Sequence, residues 1–179
     1  MNLFILRHAS AGTRRVNPLL DLKRPLDKEG KRHCLHLGAI LNAMKLNFDL
    51  IVSSPLKRSQ QTAQLIGTET GYESKILISN ALAPTATLAQ FQRLLHECAK
   101  YENLLVVGHN PNITTFVGAL IGTPIGEADR PRVRIRKGSL ARLTMQRGTA
   151  TLQWLMEPRI VRALYTTSTK SSRRKTSRK

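Results

Sequence analysis

Four side chains able to bind and attack a phosphoryl group follow three short apolar runs of this chain. They are Arg7, His8, Arg58 and His109, and the runs are residues 3–6, 49–52 and 104–107. Each run predicts a short buried strand, bounded by turn signals. Active sites of open α/β sheets lie at the carboxyl ends of the strands. The sequence therefore predicts that two arginines and two imidazoles meet at one sheet edge, where they would hold a tetrahedral dianion.

The residue types define the chemistry that such a pocket could perform. A neutral imidazole is nucleophilic near pH 7 and can carry a phosphoryl group on one nitrogen while a hydrogen bond fixes the other. Arg7 and Arg58 can bind phosphate oxygens through two donors each. Arg58 also follows Ser54-Pro55, a helix-start signal, so helix amides would add to the anion site. Beside a dianion, the pKa of His109 should rise, which would make it a proton donor.

Two alternatives compete with the phosphoryl pocket. A single histidine at a strand end is usually a hydrogen-bonded surface residue, and we expect this for His33, His36 and His96, which lie in helical patterns. A metal site would need carboxylates, but none of the eleven acidic residues is adjacent to His8 or His109. The joint occurrence of two histidines and two arginines at three strand ends favours the anion pocket, with no metal and no cofactor.

The formal net charge is unusually high, at +18 with a pI of about 11.1. Residues 159–179 contain eight cations and no acid, and residues 130–137 contain five more cations. Such a balance favours polyanions, acidic protein surfaces or phosphorylated ligands as partners. The second cluster lacks interleaved aromatic residues, and no nucleic-acid-binding motif is present, so the sequence does not favour nucleic acid.

The chain length of 179 residues predicts one domain, which we place at residues 1–158. Cys34 and Cys98 match neither zinc nor redox spacing and are expected to be reduced packing residues, as in cytosolic proteins. Residues 3–6 are too short to be a signal peptide or a membrane helix. We expect a soluble cytoplasmic monomer with a basic, disordered tail at residues 159–179.

Apolar periodicity and capping signals predict the order β-α-β-α-β-α-β-α-β-β. Asp27 is the predicted N-cap of the first helix, Ser54 of the second and Thr87 of the third, while Asn110 or Asn112 would cap the fourth. The last two strands alternate like a hairpin around Arg147-Gly148. This order predicts an α/β fold: a mostly parallel central sheet covered by helices on both faces, with an antiparallel edge.

Three segments, in this order, resemble the motifs of the histidine phosphatase superfamily, whose fold is phosphoglycerate-mutase-like. They are Leu-Arg-His-Ala-Ser-Ala at residues 6–11, Ser-Ser-Pro-Leu-Lys-Arg-Ser-Gln-Gln-Thr at 53–62, and Val-Gly-His-Asn-Pro at 107–111. The loop at residues 21–30 is similar to that of SixA-type phosphohistidine phosphatases. The resemblance implies His8 as phosphoryl acceptor, with Arg7, Arg58 and His109 forming the phosphate pocket.

One departure from the family pattern bears on the substrate. Many members carry an acidic proton donor after the third strand, but residues 74–96 contain no carboxylate. An alkoxide leaving group needs that proton, whereas phosphohistidine can leave as neutral imidazole once its ring is protonated. The sequence therefore favours a phosphoramidate substrate. Asp21 is a candidate substitute acid, although its position near Arg24 favours an ion pair within the loop.

Three functions remain open at this level. The preferred one is a metal-independent phosphohistidine phosphatase, acting on a protein such as a phosphotransfer domain. The second is a small-molecule phosphomonoester phosphatase of the same fold. The third is a non-catalytic polyanion-binding protein.

Overall fold

The structure is a computed structural model that describes residues 1–122, 133–146 and 149–176, with side chains up to residue 167. Its strands are β1 (Asn2–Arg7), β2 (Leu50–Ser53), β3 (Leu77–Ile78), β4 (Asn103–Gly108), β5 (Leu140–Gln146) and β6 (Thr149–Met156). Its α-helices are α1 (Pro18–Leu22), α2 (Lys28–Ala43), α3 (Lys57–Glu69), α4 (Leu88–Glu97), α5 (Asn112–Ile121) and α6 (Pro158–Thr176). A 3₁₀ turn spans Asn80–Leu82.

The six strands form one sheet in the order β3-β2-β4-β1-β5-β6. β1 pairs in parallel with β4, β4 with β2, and β2 with β3. β5 is antiparallel to β1, and β6 is antiparallel to β5. This arrangement confirms the predicted α/β fold with its antiparallel edge. The parallel pairing brings the carboxyl ends of β1, β2 and β4 to the same edge, so the residues that follow these strands are neighbours.

Helices cover both faces of the sheet, which explains why its central strands are apolar throughout. On one face Leu3 and Ile5 pack with α4 and α5, where the rings of Phe91 and Phe116 stack at 4.5 Å. On the other face Phe4 and its neighbours pack with α2, α3 and α6. Alternate side chains of β1 therefore belong to two separate aliphatic cores, and this burial fixes the strand that ends at Arg7 and His8.

Two predicted helix starts are confirmed. The carboxylate of Asp27 caps α2 by accepting the amide of Gly30 at 2.7 Å, and it also binds Ser10 Oγ at 2.6 Å. Thr87 and Gln90 form the capping box of α4. Because Asp27 holds both the helix and the loop after β1, it contributes to the shape of the edge at which His8 lies.

Two other predicted helix starts differ from the structure. α3 begins at Lys57, after Leu56 as its N-cap, so neither Ser54 nor Pro55 has its predicted position. α5 begins after Pro111, and the two asparagines do not cap it. Their side-chain amides instead donate to backbone carbonyls, Asn110 to Ile135 and Asn112 to Ala83 and Ala86, because loops lie within reach.

The prediction that the domain ends at residue 158 and a disordered tail follows differs from the structure. Residues Pro158–Thr176 are helical, and Val161 is completely buried in the core cluster that also contains residues of α2 and α3. Tyr165 stacks on His36 of α2 with ring centroids 3.8 Å apart. The packing of the domain therefore extends at least to Tyr165. Within the described ranges, no helix has the length and apolar character needed to cross a bilayer.

Candidate active site

The carboxyl ends of β1, β2 and β4 surround an open cavity of about 800 Å³. The structure brings all four predicted residues to its wall: Arg7, His8, Arg58 and His109. The rings of His8 and His109 are 4.9 Å apart. Three segments that are far apart in sequence thus meet as the strand order requires.

His8 is oriented by its own loop. Its Nδ1 donates to the carbonyl of Ala9 at 2.8 Å, which leaves the lone pair on Nε2, and Nε2 accepts from Arg58 Nε at 3.3 Å. Burial lowers the pKa of His8 to about 3; the bond to Ala9 opposes this, and the charges of Arg58 and Arg7 add to it. The imidazole is therefore neutral at pH 7, with one nitrogen available for attack.

Arg58 lies in the first turn of α3 and is held from two sides. Besides its contact with His8, its Nη1 donates to the backbone carbonyl of Asp21 at 3.0 Å and to its carboxylate at 3.3 Å. The predicted ion pair of Asp21 with Arg24 is confirmed at 2.8 Å. Asp21 thus binds both arginines, a link between α1 and α3 that the sequence pattern did not predict.

The pKa of Asp21 falls to about 2 despite an opposing effect of burial, because the amide of Arg15 and the side chain of Arg24 donate to its carboxylate. Asp21 is the one carboxylate among the described residues that line the cavity. Pro84 lines the cavity in the segment where many family members would place an acid. An ionised Asp21 shared between two arginines is a weak source of protons.

His109 is held by two serines that were not predicted as site residues. Its Nε2 lies 2.8 Å from Ser54 Oγ and 3.2 Å from Ser59 Oγ. A hydroxyl that donates to Nε2 leaves the ring proton on Nδ1, and Nδ1 is buried with no hydrogen-bond partner in the described structure. In that tautomer, neutral His109 keeps an unpartnered N–H at Nδ1.

The pKa of His109 differs in direction from the sequence-based expectation. Burial, together with the charges of His8, Arg58 and Arg7, lowers it to about 2. The expected rise concerned a site with a bound dianion, and it stays a prediction for that state. In the unliganded site, a serine hydroxyl that donates to Nε2 would leave a proton on Nδ1 of the neutral ring.

Arg7 is fixed by residues 133–139, which we call the strap. Its Nη1 donates to the carbonyl of Ile135 at 3.0 Å, and the amide of Gly138 contacts the carbonyls of Arg7 and His8 at 3.0 and 3.1 Å. Gly138 has a positive φ of 77°, and a Cβ there would lie 2.5 Å from the ring of His33. This role of the strap could not be predicted from the sequence, because its contacts join residues about 130 positions apart.

Residues 3–83, which include Arg7, His8 and Arg58, match the model of the histidine phosphatase superfamily (branch 1). An uncharacterised protein of Picosynechococcus sp. is 31% identical over 123 residues, covering 67% of this chain and 73% of that protein. The chain belongs to the histidine phosphatase superfamily. His109 lies beyond the matched segment, and the fold brings it to the same cavity.

Among other relatives, the phosphohistidine phosphatase SixA of Escherichia coli is 24% identical over 163 residues, covering 88% of this chain and 94% of that protein. The structure of the protein histidine phosphatase SixA with tungstate superposes with a TM-score of 0.74 at 24% identity, covering 88% of this chain and 97% of that one. A putative α-ribazole-5′-P phosphatase from Escherichia coli superposes with a TM-score of 0.66 at 21% identity, with the same two coverages.

Membership of the histidine phosphatase superfamily makes this protein a phosphatase-type hydrolase, but it does not choose the substrate. The similar folds include enzymes named for protein phosphohistidine and for small phosphate esters. At these identities the superpositions show the fold alone. The choice among substrates depends on the chemistry of this chain's own cavity.

The buried histidines of this superfamily member should make its stability depend on pH. A histidine whose pKa is lowered by folding stabilises the protein above its unfolded-state pKa, and that contribution is lost as the pH falls toward the folded-state value. For His109 this window runs from 6.5 down to about 2. When the pH is lowered from about 7 to about 5, the free energy of unfolding should fall by about 2 kcal/mol less in His109→Gln than in the wild type. Urea unfolding at the two pH values measures this difference. Equal losses would mean that His109 is not held neutral by the fold.

Proposed function

We propose that this protein hydrolyses phosphohistidine on a partner protein, such as a phosphotransfer domain, through a covalent phosphohistidine on His8. The observation that carries the proposal is the geometry of His8. Its Nδ1–H is committed to Ala9, and its Nε2 lone pair faces a cavity lined by Arg7, Arg58 and His109. This is the arrangement that an imidazole nucleophile for phosphoryl transfer needs.

In the first step, His8 Nε2 attacks phosphorus and replaces its contact with Arg58. A P–N bond to His8 forms and the P–N bond to the substrate imidazole breaks. The substrate imidazole keeps the proton on its other nitrogen and therefore departs as a neutral ring. Arg7 and Arg58 bind the equatorial oxygens, and His109 Nδ1–H donates to one of them. In the second step, water attacks phosphorus and the P–N bond to His8 breaks. Both water hydrogens leave with the phosphate as dihydrogen phosphate, and neutral His8 with its Nδ1–H is restored.

The leaving group explains why a phosphoramidate fits better than an alkyl phosphate. An alkoxide must receive a proton as it departs, and the described wall offers only Asp21, whose pKa is about 2. A protonated phosphohistidine carries its own proton and departs as a neutral amine. We also propose that catalysis is independent of a metal ion, because the two arginines of the same wall would supply the charge that a metal ion would otherwise supply. Within the described residues, no cluster of metal-binding side chains is present.

The test is a rate series over leaving groups, with and without a chelator. Phosphohistidine and phosphoramidate should be hydrolysed about 10²–10⁴-fold faster than unactivated alkyl phosphates, which is the usual value of general acid catalysis. Aryl phosphate rates should rise with the acidity of the phenol, and the chelator should leave every rate unchanged. Single-turnover kinetics on each substrate would supply the rates.

A flat dependence on leaving-group pKa, with rapid sugar-phosphate turnover, would contradict the proposal. It would favour the second candidate, a small-molecule phosphomonoesterase, which the cavity volume of about 800 Å³ could accommodate. Asp21→Asn then serves as the diagnostic variant, because a hidden acid at that position would make ester hydrolysis depend on it. Phosphate binding without any turnover would favour a non-catalytic polyanion binder.

A further inference from the structure

A second, shallower depression adjoins the active-site cavity. It has a volume of about 570 Å³, and it shares Arg7, Asn110 and Lys137 with the active-site wall. Five exposed cations line it, which we call the basic groove: Arg134, Arg136, Lys137, Arg159 and Arg162. The described lining includes two carboxylates, Glu29 and Glu157, so the groove carries a clear positive excess.

The basic groove is built by the strap and the first turns of α6. The strap also contacts Arg7, so one segment lines both the groove and the phosphoryl pocket. Arg136 pairs with Glu157 at 3.4 Å, which ties the strap to the residue before α6. A protein that bound the groove would therefore lie beside the active-site cavity, with which the groove shares residues.

We propose that the basic groove docks an acidic surface of the phosphorylated partner protein, next to its phosphohistidine. The inference rests on the proposed function, because the groove acts by presenting the phosphoryl group to His8. Its arginines are exposed and spread over two elements, unlike the buried forks of the pocket. Exposed cations bind weakly one by one, but together they attract and orient a dispersed acidic surface.

The lining of the basic groove favours a protein partner over a nucleic acid. A groove for single-stranded nucleic acid combines cations with aromatic rings on which bases stack. The described lining of the basic groove contains arginine, lysine, proline and isoleucine, but no aromatic ring. Charge complementarity without a stacking surface favours acidic side chains as the occupant.

The experiment compares two phosphohistidine peptides of equal length, one flanked by glutamates and the other by glutamines. The wild type should prefer the acidic peptide by about tenfold in kcat/KM at low salt, and the preference should shrink near 0.15 M salt. The triple variant Arg134→Glu/Arg159→Glu/Arg162→Glu should lose the preference while keeping its rate on the neutral peptide. The corresponding glutamine triple variant should show a smaller loss, and it replaces the first if charge reversal impairs folding.

The matched control is Lys75→Glu/Lys100→Glu, because both lysines are exposed in a groove at the amino ends of the strands. This variant should keep the wild-type preference. Hydrolysis of the neutral peptide reports on the proposed function alone, so a wild type that hydrolyses both peptides equally would overturn the docking inference only.

A binding measurement tests the groove without catalysis. A fluorescent glutamate-rich peptide without phosphate should bind the wild type more tightly than it binds the arginine variants. Its affinity for the lysine control should equal its affinity for the wild type. Unchanged affinity in the arginine variants would overturn the inference. Tighter binding of single-stranded DNA than of this peptide, at equal salt, would also overturn it in favour of a nucleic-acid surface.

Discussion

Replacing His8 with alanine is expected to lower phosphohistidine hydrolysis by at least about 10⁴-fold, a loss typical of nucleophile removal. His8 supplies the single nitrogen whose lone pair is fixed toward the cavity by the bond from Nδ1 to Ala9. The neighbouring imidazole cannot replace it, because Ser54 and Ser59 occupy His109 Nε2. Single-turnover assays with a phosphohistidine peptide measure the loss directly.

The matched control is His96→Ala, an exposed histidine on α4 that lies outside the described cavity lining. This variant should retain wild-type activity. Rapid quenching of the wild type should trap an acid-labile phosphoryl group on residue 8, and the His8→Ala variant should still bind inorganic phosphate through its arginines. Recovery of the label on His109 would reverse the roles of the two histidines.

The sheet could be predicted from the sequence because its signals are local. Continuous apolar runs mark strands that are covered on both faces, and the capping signals of Asp27 and Thr87 mark the helix starts. The parallel order then places Arg7, Arg58 and His109 at one edge. These predictions need no knowledge of which side chains touch.

Parts of the fold escaped prediction where tertiary contacts outweigh composition. The segment after residue 158 is rich in charge and hydroxyl groups, which suggested disorder, but Val161 and Tyr165 are spaced to reach α2 and the core. Asn110 resembles a helix cap in sequence, yet the nearby carbonyl of Ile135 binds its amide. Only the position of the strap in space decides between these partners.

The supporting contacts of the site were missed for the same reason. The second motif contains Ser54 and Ser59, but nothing local shows that their hydroxyls meet a histidine 50 or more positions away. The ion pair of Asp21 with Arg24 is local and was predicted, whereas its contact with Arg58 is not. Sequence thus identified the groups that could touch a phosphoryl group, and the structure identified those that orient them.

The electrostatics of the cavity are arranged for an anion before one binds. A buried Arg58 and a partly buried Arg7 face two neutral imidazoles, and burial lowers the pKa of both guanidinium groups. Protonation of His8 or His109 would add repulsion, which contributes to their low pKa values. In the mechanism we propose, a phosphoryl dianion would relieve this excess of positive charge, and the same groups would stabilise the transition state.

Replacing Arg58 with lysine is expected to lower kcat/KM by about 10²-fold, although the charge is kept. In the wild type, Nε of Arg58 meets His8 while Nη1 binds Asp21, so the planar group is oriented before substrate arrives. A lysine ammonium is a single point of charge. It cannot reproduce the contacts with His8 and Asp21 and also bind phosphate through two parallel hydrogen bonds. Steady-state rates on a phosphohistidine peptide measure the effect.

The control is Arg93→Lys, the same exchange at an exposed position of α4, which should leave kcat/KM unchanged. Asp21→Asn weakens the positioning of Arg58: with Arg58 intact but less firmly held, the rate should fall less than in Arg58→Lys. Near-normal kcat/KM in Arg58→Lys would place Arg58 outside the phosphoryl contacts. Arg7 and His109 would then bind the phosphoryl group, because these residues also line the cavity.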